Sequence, residues 1–113
     1  IQAYEKEDYF GAVKMYEKLV AANPDNIKNN LFYAISLMAT NQPKKAIDIL
    51  SKITTSEEFH FDINWYLALA YLKSKDLQNA QVYFQIIAKD DNYYQVQAKA
   101  ILEKLDGKLA VKD

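Results

Sequence analysis

The chain has 113 residues, of which 50% are hydrophobic and 26% charged, with a net charge of −1 and no cysteine. Its length suits one domain; the missing cysteines exclude disulfides, thiolate metal sites and cysteine nucleophiles, and the charge balance excludes a basic field for nucleic acid. All 14 basic residues are Lys, so the guanidinium fork that suits phosphate and carboxylate is missing, and no apolar run reaches the roughly 18–20 residues that span a membrane.

Residues 1–6 read as the end of a helix that breaks near Lys6-Glu7-Asp8. The chain starts without Met inside this segment and reads as a piece of something longer, with the rest of its first helix upstream of Ile1. Apolar residues at 9, 10, 13, 16, 19 and 20 predict a helix over 9–22. Asn23-Pro24-Asp25-Asn26 stops it and offers caps to the next. Further helices are predicted over 27–40, 44–53, 61–73, 77–89 and 93–105. Pro43 suits a first helical turn, where a missing N–H costs little. Residues 54–58 read as a connector, Lys75-Asp76 as a turn and Asp90-Asp91-Asn92 as a cap-rich break. The last helix is expected to end at Asp106-Gly107 on a C′ glycine, leaving 108–113 as a fraying tail. No segment alternates as a strand does.

Ala12, Ala46 and Ala80 stand 34 residues apart in two successive steps, and each is followed four positions later by a large residue, Tyr16, Leu50 and Phe84. A fixed period of this length signals stacked helical hairpins. With Ala34 and Ala68, each followed three positions later by Leu37 and Tyr71, and with the closing Asn23-Pro24-Asp25-Asn26, the pattern resembles the tetratricopeptide repeat.

The resemblance implies an all-α fold, with antiparallel helix hairpins stacked in a right-handed α-solenoid. One domain is expected: a truncated first repeat over 1–26, a second over 27–60, a third over 61–92, a C-terminal capping helix over 93–106 and a tail over 107–113. Glu7, Asn41 and Lys75 stand where the family has glycine between helices A and B. Asn tolerates a left-handed backbone better than Glu or Lys. Leu19, Ile53 and Ile87 replace a second small residue of helix B and are expected to hold neighbouring hairpins further apart.

In this family helix A lines a concave groove. Carried over, the groove residues are Ile1 and Tyr4 from the first repeat, Lys28, Leu31, Ile35 and Met38 from the second, and Asp62, Trp65, Leu69 and Leu72 from the third. Leu31/Ile35/Met38 and Trp65/Leu69/Leu72 follow i, i+4, i+7 spacing, so each set lies on one helical face. Together with Ala34/Leu37 and Ala68/Tyr71, they make helix A apolar on two faces, where a surface helix needs one.

The expected role is a non-catalytic protein–protein interaction module or scaffold. Its groove would take an apolar or amphipathic segment of a protein or peptide partner, with Trp65 as an anchor. Two alternatives stay open: neighbouring helices cover these side chains, or the groove is filled by the protein's own missing N-terminal region or by a second copy in a homodimer. The positions that clamp a terminal carboxylate in some relatives carry Ile1, Phe32, Asp62 and Tyr66 here, and none offers a charged donor.

His60, the sole histidine, reads as a solvated connector residue beside Glu57, Glu58 and Asp62; one imidazole among carboxylates makes a poor zinc set. Asp90-Asp91 reads as a capping turn and not as a catalytic carboxylate pair. No Gly-rich phosphate loop or Ser/His/Asp arrangement occurs. No metal or cofactor is expected. The nine tyrosines, without a basic stripe, read as packing residues and not as a base-stacking platform. The Lys-only basic set and the run from Trp65 to Leu72 are similar to those of small repeat domains attached to bacterial envelope proteins.

Overall fold

The computed structural model describes residues 8–111. Among the described residues there are six α-helices and no strand: α1 (Asp8–Ala22), α2 (Ile27–Ala39), α3 (Pro43–Ser51), α4 (His60–Lys73), α5 (Leu77–Lys89) and α6 (Gln95–Val111). They fall into two compact units, Ile1–Ser56 with α1 to α3 and Glu57–Asp113 with α4 to α6. In the first unit α1 packs on α2 and α2 on α3; in the second α4 packs on α5 and α5 on α6.

The repeated small residues lie in the interior. Ala34, Leu37, Ala46 and Leu50 have no exposure in the first unit, nor have Ala68, Ala80 and Phe84 in the second. A methyl group at each of these positions lets helices approach closely while the bulky residue one turn on fills the space beside it. Ala68, Ala80, Phe84, Ile87, Ala98 and Leu105 form one apolar cluster that draws on all three helices of the second unit. Ala12 and Tyr16 on α1 are only half-buried. Of the large residues in the second helix B position, Ile53 and Ile87 are buried and Leu19 is 38% exposed.

The turns repeat with the same period. After α2 the amide of Asn41 donates to the Met38 carbonyl at 3.1 Å and that of Gln42 to Leu37 at 2.8 Å. After α4 the amide of Lys75 donates to Leu72 at 3.0 Å and that of Asp76 to Tyr71 at 2.9 Å. This paired arrangement is a Schellman ending, which needs its C′ residue left-handed. Asn41 and Lys75 supply that conformation, with φ of 62° and 65°. The geometry of the family glycine is thus kept without the glycine; the corresponding Glu7 lies outside the described residues. Each following helix then starts at once. Pro43 opens α3, and Asp76 caps α5 by accepting from the Asn79 amide at 3.2 Å. Asn26 caps α2, accepting from the Asn29 amide at 2.8 Å.

Several boundaries differ from expectation. α3 ends at Ser51, because the amides of Lys52 and Ile53 turn to carbonyls three residues back, Ile49 and Leu50; the last turn tightens and the α ladder stops. His60 is not in the connector but opens α4. The last helix does not stop at Asp106-Gly107. It runs to Val111, and Gly107 has no positive φ. Leu105 is buried and Leu109, one turn on, is half-buried, so an apolar stripe continues past the glycine and holds the helix together.

These observations carry three expected outcomes, each readable by urea denaturation. Ala80→Leu overpacks the α4–α5 crossing and lowers stability by roughly 1–3 kcal/mol. Gly107→Ala raises it by about 0.5–1 kcal/mol, because a Cβ at Gly107 meets nothing within 4 Å. Lys75→Gly relieves a left-handed lysine and raises stability by about 0.5 kcal/mol, more than Asn41→Gly does, since Asn suffers less there.

Candidate functional site

Among the described residues, the expected groove positions belong to α2 and α4. On α2, Lys28 is exposed, Ile35 is half-buried, and Leu31 and Met38 are 3% and 9% exposed. Two of the three apolar positions of this stripe are therefore already covered. Tyr4, like Ile1, lies outside the described residues. On α4, Asp62, Trp65, Leu69 and Leu72 are all half-buried. Trp65, Leu69 and Leu72 also pack against the apolar cluster of the second unit, so the second face of this helix is not separate from its core.

Trp65 sits between two rings. Phe84 from α5 meets its edge at a centroid distance of 5.6 Å and an interplanar angle of 73°. Tyr94, just ahead of α6, lies flat on it at 4.9 Å and 11°. The Tyr94 hydroxyl also donates to Oδ1 of Asp62 at 2.5 Å. One residue thus engages two of the four expected positions, by stacking on one and by a charge-assisted hydrogen bond to the other. Burial, followed by the bond to Asp62, pushes the Tyr94 phenol well above the usual range: both disfavour a second negative charge beside the carboxylate.

Asn92 sets Tyr94 in place. Its side-chain amide donates to the carbonyls of Ile87 at 2.8 Å and Asp90 at 2.7 Å, and its Oδ1 accepts from the Tyr94 amide at 2.9 Å. The Gln95 side chain adds a bond to the Ala88 carbonyl at 3.1 Å. The end of α5 is therefore tied to the start of α6 by Asn92 and Gln95, and α6 begins at Gln95, two residues later than expected. Within the Asp90-Asp91-Asn92 break, it is Asn92 whose side chain makes these bonds.

Asn30 and Asn64 occupy the same repeat position, 34 residues apart, and both are buried. The Asn30 amide donates to the Asn26 carbonyl at 2.9 Å and to Pro24 at 3.0 Å; that of Asn64 donates to His60 at 2.8 Å. Buried amides need such partners, and these pin the first turn of each helix A. Their spacing was a signal available in the sequence. Tyr94 gave none, since its role depends on a contact 32 residues away.

Of the clamp positions, Phe32 stacks on Tyr16 at 6.0 Å and Asp62 accepts from Tyr94. His60 lies edge-on to Phe61 at 4.9 Å, with Nδ1 3.4 Å from the Asn64 amide nitrogen. Among the described residues no group of three or more His, Cys, Asp or Glu converges as a metal site, and no helix is long and apolar enough to cross a membrane.

Two family models of the tetratricopeptide repeat match the chain, one over residues 3–59 and the other over residues 62–91. No curated protein and no solved structure matches it.

Tyr94→Phe keeps the stack on Trp65 and removes the bond to Asp62, with an expected loss of about 1 kcal/mol in urea denaturation near neutral pH. The sign with pH follows from the raised phenol. Its ordinary value is 10.0, so the contribution is complete below that pH. Above it the unfolded chain releases a proton that the folded chain retains, and stability is lost. The advantage of the wild type over Tyr94→Phe therefore shrinks between pH 9.5 and 11, approximately the window in which a free phenol ionises.

Proposed function

The chain belongs to the tetratricopeptide repeat family, whose general role is protein–protein interaction, and on that premise we propose that it recognises an apolar or amphipathic segment of a protein partner through the face of α4. The observation that carries this reading is the half-exposure of Trp65, Leu69 and Leu72. They form a stripe with i, i+4, i+7 spacing, packed against the core of the second unit yet only partly covered. A rigid aromatic supported from behind loses little entropy on binding, which favours it as an anchor. The family is typically a non-catalytic interaction module, and no catalytic role is assigned to any residue here.

One observation favours a second reading. Tyr94 already occupies the flat face of Trp65 and the carboxylate of Asp62, which supports a structural module whose helix A faces serve packing, within the chain or against a second copy.

A single probe separates the two. Trp65 is the only tryptophan, so its emission reports on this face alone. A peptide selected by display against the chain should shift that emission to the blue and protect it from acrylamide. Trp65→Ala should weaken the peptide by about 2 kcal/mol, measured by calorimetry on protein whose helical circular dichroism is retained. Unchanged affinity in the variant would remove Trp65 from the interface. Quencher protection that instead rises with protein concentration, together with dimer-sized sedimentation, would favour the second copy.

A further inference from the structure

We draw no further inference here: the strongest candidate, the exposed apolar patch of Tyr93 and Val96 at the start of α6, is an unpartnered face with nothing in the structure to say what covers it.

Discussion

Close approach of paired helices at alanine is the constraint on which the rest of this structure depends. Ala46 and Ala80 are fully buried, and a methyl group at such a position lets paired helices approach closely. The large partners Leu50 and Phe84 then fall into the spaces one turn away and are buried as well. Transfer of such side chains from water contributes roughly 1.5–3 kcal/mol each, so the alanines matter less for the area they bury than for the area they allow others to bury. One turn in each unit, α2 to α3 and α4 to α5, reverses the chain through a single left-handed residue, Asn41 or Lys75.

On the candidate face, the side chains of the proposed contact stripe also serve the packing of the second unit. Trp65 is held by Phe84 and Tyr94, and packing within the unit therefore fixes its orientation. The hydroxyl of Tyr94 ties α6 to Asp62 on α4, while the amide of Asn92 ties the same segment to α5. Three helices thus converge on one indole. A ring so supported is a stiff surface feature, and a perturbation of α6 would reach it directly.

Most of the fold was legible in the sequence because the signals are local. A helical stripe of apolar residues and a proline at a first turn each act within one or two turns of chain, and the 34-residue recurrence of alanine repeats the same local frame. The left-handed positions were legible too, as places where the family glycine is replaced. The end of α6 was not, because a glycine's preference for stopping a helix is small and the half-buried Leu109 beyond it outweighs it. The candidate face was legible in its stripe, but not in its burial. Leu31 and Trp65 hold equivalent places in the two repeats, yet Leu31 is covered and Trp65 is half-exposed. That difference depends on which tertiary neighbours reach each helix, and spacing along one helix does not encode it. Tyr94 stayed hidden for the same reason.

Each helix in these units packs on the helix next to it in sequence. Bringing such neighbours together closes only short loops, which costs little chain entropy. Topologies of this kind belong to the fast end of folding rates, and structure can start in one hairpin and spread to its neighbour instead of awaiting a distant contact. The helix ends that cap themselves without outside help, at Asn26 and Asp76, are the natural places for that process to begin. The bond from Tyr94 to Asp62 spans a much longer stretch of chain, and closing that loop costs more chain entropy.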